Sequence, residues 1–247
     1  MKRASSRPLR YAYLHGFASS PLASKATHLS RWFRDELNLS LDVPDLNVPS
    51  FREQSLTHIV DHMHTYIASK IDRLASPRLS FEIYVESNAN WLLIGSSFGG
   101  LTATLLAQRQ PHAIRALLLL APAFDPVQIW SSKMNIDQWK AVGFIDHHNP
   151  TTQSDEPVTY DFFRDLERHP SYPLVTTCPL RIIHGVHEAM VPIDTSRRYV
   201  RRLRDVSEHP VTLAEVDDDH HLAKPDTLES IKRAIVELDR NDTTNMS

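Results

Sequence analysis

Apolar residues in this chain gather in short unbroken runs, and between those runs they recur at helical spacing. The runs are RYAYLHG (10–16), WLLIGSS (91–97), IRALLLLAP (114–122), PLRIIHG (179–185) and VTLAEVD (211–217). Continuous apolar runs of this length predict strands, and the last four read as strands buried on both faces. Elsewhere the spacing changes. Leu56, Ile59, Val60, Met63, Ile67, Ile71 and Leu74 recur at helical intervals and predict a helix over about 53–75. FASSPLASKA leads into a helix reaching about residue 37, and LSLDVPDLN reads as extended. FGGLTATLLAQRQ predicts a helix that stops before Pro111, with further helices over 192–205 and 225–239. Strands that alternate with helices imply an α/β fold, a mainly parallel sheet with helices on both faces.

The alternation breaks once. More than fifty residues lie between the runs 114–122 and 179–185. Within them, 125–173 carries Trp130, Met134, Trp139, Phe144, Tyr160, Phe162, Phe163 and Tyr172 among polar residues. A gap this long inside a compact domain usually has structure of its own. The expectation is one domain over 1–247 with a small, mostly helical cap inserted at 125–173, above the C-terminal edge of the sheet. An irregular surface excursion is the alternative. The polar tail NDTTNMS (241–247) is expected to fray.

Composition narrows the function classes. The chain's 247 residues can bury a sizeable core, and 41% hydrophobic with 23% charged residues is ordinary for a soluble protein. A net charge of −3 argues against nucleic-acid binding. The dense basic segment RRYVRRLRD (197–205) suits the solvated face of a helix. A single cysteine, Cys178, rules out an internal disulfide and fits a reducing compartment. The N-terminal MKRASSRPLRYAYLHGF lacks a signal-peptide apolar run, and no stretch is long and apolar enough to span a membrane. A cytoplasmic location is the expectation.

Glycine is scarce, with 6 in the chain, at 16, 95, 99, 100, 143 and 185. All but Gly143 fall in three motifs at strand ends. Gly95-Ser96-Ser97-Phe98-Gly99 fits G-x-S-x-G between a strand and a helix, where a sharp turn projects the central hydroxyl from the sheet edge. Ser97 is therefore the candidate nucleophile and Ser96 its neighbour. A structural glycine turn is the alternative. His15-Gly16-Phe17 closes the first strand, and in such a fold this loop can supply an oxyanion donor, so the backbone N–H groups of Phe17 and Phe98 are nominated. His15 is expected to hold the loop. The third motif, HGVHEAMVP (184–192), places Glu188 one loop before the final strand. It could orient a histidine from the next loop, EVDDDHHLAKP (215–225), giving the chain order Ser97, Glu188, His220.

Taken together, YLHGFASSP, GSSFGG and HGVHEAMVP…DDDHHL resemble the α/β-hydrolase superfamily, in particular small intracellular bacterial esterase-like serine hydrolases. The resemblance runs from residue 10 to about 238. It implies hydrolysis of a small-molecule acyl ester or thioester, with no cofactor. It implies His220 over His221 as the base, followed by one variable residue and the apolar Leu222. It also implies an aspartate where this chain has Glu188. Asp125, after the strand 114–122, is the alternative acid, and an aspartate of 217–219 a third.

Fourteen histidines invite a metal reading, but HIVDHMH, with His58 and His62 four apart, is read as an exposed helix face, and DDDHH as a polar turn. His147, His148 and His187 are possible neighbours of the active-site mouth. Two other functions stay open: acyl transfer or other chemistry with the same triad, and a non-catalytic binding protein on a hydrolase fold.

Overall fold

A computed structural model describes residues 9–70, 90–206, 208 and 210–240. Its first half consists of β1 (Arg10–Leu14), α1 (Ser24–Asp35), β2 (Leu41–Asp42), α2 (Leu56–Lys70), β3 (Trp91–Ser96), α3 (Phe98–Arg109) and β4 (Ile114–Leu120). An insertion follows, with α4 (Pro126–Lys133), α5 (Ile136–Val142), β5 (Phe144–Asn149), β6 (Ser154–Thr159) and α6 (Asp161–Leu166). The chain then returns to the sheet through β7 (Leu180–Gly185), α7 (Ile193–Arg204), β8 (Val211–Val216) and α8 (Pro225–Arg240). Ile71 and Leu74, expected on the second helix, lie outside the described residues, as does the tail 241–247.

The main sheet has the order β2-β1-β3-β4-β7-β8, and every neighbouring pair is parallel. Its inner strands are apolar along nearly their whole length because they serve two cores at once. In β1, Ala12 and Leu14 join one core while Tyr11 and Tyr13 join the other. In β3, Trp91 and Leu93 separate in the same way from Leu92 and Ile94. One core is closed by α2, α3 and α7, the other by α1 and α8. On α2 the buried residues are Leu56, Ile59, Val60, Met63 and Ile67, with His58 and His62 exposed. The basic face of α7 points to solvent, where Arg197 pairs with Glu215 and Asp194.

One strand differs from its reading. VTLAEVD forms β8, but as the edge strand of the sheet, and only Val211 is fully buried there. Among the described residues no strand pairs with its far edge, and Thr212 and Glu215 are exposed there.

The insertion contains three short helices and also a two-stranded antiparallel ribbon, β5–β6, which the spacing of apolar residues did not announce. Trp139 in α5 is buried and donates its indole N–H to Val158 O in β6 at 3.2 Å, which ties helix to ribbon. The insertion is held to the body at α2. Asp165 of α6 accepts from both the backbone N–H and the hydroxyl of Thr57, each at 2.7 Å. A buried carboxylate thus satisfies an amide of the α2 N-terminus and opposes its partial positive charge.

The strand order fixes where a site can form. After β1 the chain moves out to β2 and then returns across β1 to β3, so the direction of winding reverses between β1 and β3. In open parallel sheets the crevice beyond the carboxyl ends of strands at such a reversal is the usual ligand site. Here those ends carry Gly16-Phe17 and Ser96-Ser97.

Candidate active site

Ser97 occupies the turn from β3 into α3 with φ 53° and ψ −117°, a backbone conformation that L residues rarely adopt. The turn is held from three sides. Ser97 N donates to Leu120 O of β4 at 2.8 Å, and Ser97 O accepts from Gly100 N and Ala123 N at 2.9 and 3.0 Å. The flanking glycines make the turn sterically possible. A Cβ on Gly99 would run into the carbonyl of Leu14, and one on Gly95 into the backbone of Gly99 and Gly100. Ser97 stands at the N-cap of α3, yet its hydroxyl makes no cap hydrogen bond and lines a cavity instead. Ser96 faces elsewhere, its Oγ 3.4 Å from the Lys25 ammonium.

The loop after β1 comes up against this turn. A Cβ on Gly16 would lie 3.4 Å from the Ser97 Cβ. Phe98 is the first residue of α3, where a backbone N–H has no acceptor within the helix. His15 is buried and acts as a brace: its Nε2 accepts from Leu46 N at 2.9 Å, and Asp45 lies 3.4 Å away.

Glu188 and His220 are brought together from loops beyond β7 and β8. Glu188 Oε2 lies 2.6 Å from His220 Nδ1, while Oε1 accepts from Met190 N and Val191 N at 2.5 and 2.9 Å. The Glu188 side chain is only 1% exposed. Burial alone would push its pKa up, but the hydrogen bonds from His220, Val191 and Met190 outweigh burial and hold it below the usual carboxylate range. His220 reaches the same cavity as Ser97.

The other acids face elsewhere. Asp125, in a left-handed conformation before α4, has its carboxylate 3.9 Å from Arg198. Asp217 bonds His187 at 2.6 Å and Lys224 at 3.0 Å. Asp218 accepts from the backbone N–H of Asp219 and Lys224, and Asp219 from that of His221. The three aspartates shape the turn that presents His220.

Two groups near Glu188 escaped the sequence reading. His184, fully buried at the end of β7, lies 3.8 Å from Glu188, with Ser196 Oγ at 2.8 Å and Val191 O at 3.0 Å. Burial pushes its pKa down. Its place beside a glycine at a strand end, as with His15, was the available signal. Lys25 on α1 is pushed down to about 8 by burial, with the charges of Asp218, Glu188 and Asp219 opposing that shift. An isolated lysine on an amphipathic helix carries no such signal.

The cavity measures about 320 Å³. The body supplies Phe17, Ser97, Phe98, Met190, Val191 and His220. From the insertion come Pro126, Ile129, Trp130, Lys133 and Met134 of the α4 region and His147 of β5. Phe17 sits at the centre of an aromatic cluster, 5.2 Å from Trp130, 4.6 Å from Phe162 and 5.0 Å from His147 between ring centres. His148 pairs with Asp155 at the surface, and His187 is exposed beside Asp217. Among the described residues no helix is long and apolar enough to cross a membrane.

Comparison with known proteins agrees with this architecture. The mouse α/β hydrolase domain-containing protein 10 superposes with a TM-score of 0.68 at 20% identity, covering 96% of this chain and 92% of that one. Est1E of Butyrivibrio proteoclasticus, solved with ferulic acid, gives 0.71 at 17% identity over 96% of this chain and 92% of its own. In sequence, the mitochondrial palmitoyl-protein thioesterase ABHD10 of Pongo abelii is 30% identical over 118 residues. That match spans 45% of this chain and 39% of the relative's length. The model of the uncharacterised protein family UPF0227 matches residues 10–156, more than half of the chain. The chain therefore belongs to UPF0227, and its fold is that of the α/β hydrolases.

Proposed function

We propose that the chain is a serine hydrolase that cleaves a small-molecule ester or thioester through Ser97, His220 and Glu188. The observation that carries this reading is the 2.6 Å contact between Glu188 and His220, with His220 lining the same cavity as a serine held at positive φ. In this mechanism His220 takes the proton of Ser97 as Oγ attacks the carbonyl carbon, and the backbone N–H groups of Phe17 and Phe98 receive the oxyanion. His220 then gives that proton to the departing alcohol or thiol, leaving an acyl-Ser97 ester. It next deprotonates water for the second attack, and collapse releases the acid and restores Ser97. Glu188 keeps the Nδ1 proton in place and offsets the charge His220 carries in each transition state.

The relatives named as thioesterases support the reaction class. A cavity near the low end of the range for small-molecule sites favours a compact acyl group over a long chain. The segment 125–173 serves in this reading as the cap of a single domain, since it supplies about half of the cavity wall. The unpaired Cys178 suits the cytoplasmic setting expected from the sequence.

The test is labelling with a fluorophosphonate, followed by a panel of p-nitrophenyl esters and acyl-CoAs. The reading requires covalent modification of Ser97 in folded protein and turnover that Ser97→Ala abolishes. A folded protein that neither labels nor turns over any member of the panel would instead be a binding protein on a hydrolase fold. Transfer of the acyl group to an added alcohol or amine in preference to water would make it an acyltransferase.

A further inference from the structure

Several buried side-chain polar atoms among the described residues have no hydrogen-bond partner, and of these only the Nε2 of His147 belongs to a residue lining the cavity. An orphaned buried nitrogen costs free energy unless a bound molecule supplies its partner. His147 is also built in with some care. Its ring stands edge-on to Phe17 at an interplanar angle of 89°, and its neighbours along β5, Asp146 and His148, are exposed. The strand thus turns this one histidine inward toward the cavity's aromatic wall.

The position identifies which part of a substrate would meet it. This step rests on the serine-hydrolase reading given above. His220 must face the leaving group that it protonates, so the wall of Phe17, Phe98, Trp130 and His147 is left for the acyl group. The aromatic rings there suit an aryl or other flat apolar body, and His147 is the polar point among them. Burial pushes its pKa down, with Asp146 and Asp155 opposing, so the ring is neutral near pH 7. A neutral imidazole offers either a donor or an acceptor at Nε2, according to tautomer, and a hydroxyl can answer both.

We propose that His147 is a specificity-determining residue that selects acyl groups carrying a hydroxyl on a compact apolar, ring-bearing body. A hydroxyl that reaches this nitrogen supplies the partner it lacks in the free protein, whereas a substrate without one leaves the nitrogen unpaired and gains nothing there.

The experiment compares p-nitrophenyl 3-phenylpropanoate with its ortho-, meta- and para-hydroxy forms, using the full chain. Wild-type protein is expected to favour at least one hydroxylated ester in kcat/KM, by on the order of tenfold. In His147→Phe that ratio should collapse to near one, whatever happens to the absolute rates. His147→Leu gives the same reading if the Phe variant does not fold, and His147→Gln, which keeps a donor and an acceptor, should restore part of the preference. Equal kcat/KM for all four esters in the wild type would overturn the proposal, as would a preference that survives in folded His147→Phe. If Ser97→Ala abolishes turnover but no preference depends on His147, only the role of His147 fails. Turnover that persists in Ser97→Ala, or none in the wild type, removes the hydrolase reading and this inference with it.

Discussion

The carboxylate of Glu188 lies 2.6 Å from Nδ1 of His220, although thirty-two residues separate them and three aspartates stand nearer in sequence. Parallel strands β7 and β8 end side by side, so the loops that follow them converge. Asp217, Asp218 and Asp219, in the same turn as His220, bond other side chains and backbone amides instead.

This geometry predicts the outcome of exchanging the acids. Glu188→Gln should lower kcat by on the order of a thousandfold, because the amide no longer holds the His220 tautomer or balances its charge. Asp125→Ala, which removes a partner of Arg198, should leave kcat close to wild type. Steady-state kinetics with a p-nitrophenyl ester decides, and the reverse pattern would move the acid to Asp125.

The strain at Ser97 can be measured separately from its chemistry. Ser97→Ala and Ser97→Gly should both be inactive, but glycine accepts the positive φ without a Cβ penalty. The glycine variant is expected to be the more stable of the two by about 1 kcal/mol in urea denaturation. A glycine variant less stable than the alanine variant would show that the turn is not strained.

Lys25 predicts a pH effect on stability. Its pKa is lowered in the folded state to about 8 from the ordinary lysine value of 10.5, so over that interval the unfolded chain holds the extra proton. Where the unfolded state binds more protons, stability rises with pH. The cost of burying the charge is therefore present in full below about pH 8 and relieved as pH climbs toward 10.5. Lys25→Met, which carries no charge, should show its largest gain in Tm relative to wild type near neutral pH. That gain should shrink between pH 8 and 10 in paired thermal melts; a constant difference would mean that Lys25 is not depressed.

Asp165 tests how the insertion is attached. Asp165→Ala leaves the Thr57 amide at the start of α2 without its acceptor and should cost about 1–3 kcal/mol. The residue lies outside the cavity lining, so Tm should fall without a comparable loss of kcat. A loss confined to kcat would place the linkage in the control of the cavity rather than in the stability of the fold.

Much of this molecule is legible in one dimension. The inner strands β1, β3, β4 and β7 are short apolar runs, because a strand covered on both faces needs apolar residues at nearly every position. The elbow at Ser97 is legible because a backbone this tightly packed admits only glycine at 95 and 99, and glycines are few in this chain. The β5–β6 ribbon was not legible. Its strands, FIDHHN and SDEPVT, bury little, so hydrophobic spacing carries no record of the pairing. The edge position of β8 was hidden for a related reason, since a run of residues does not reveal how many neighbours it has.

The residue types and their order along the chain determined the class of fold, the nucleophile candidate and the two loops from which an acid and a base could come. Local backbone preference and burial periodicity act over a few residues, and those features need nothing longer. Only the tertiary structure decided that Glu188 meets His220, that Asp125 turns to Arg198, and that His147 joins the cavity while His148 and His187 stay at the surface. Those outcomes depend on which strand ends lie adjacent and on the direction of side chains across an inserted segment, and both are properties of packing between parts of the chain that are distant in sequence.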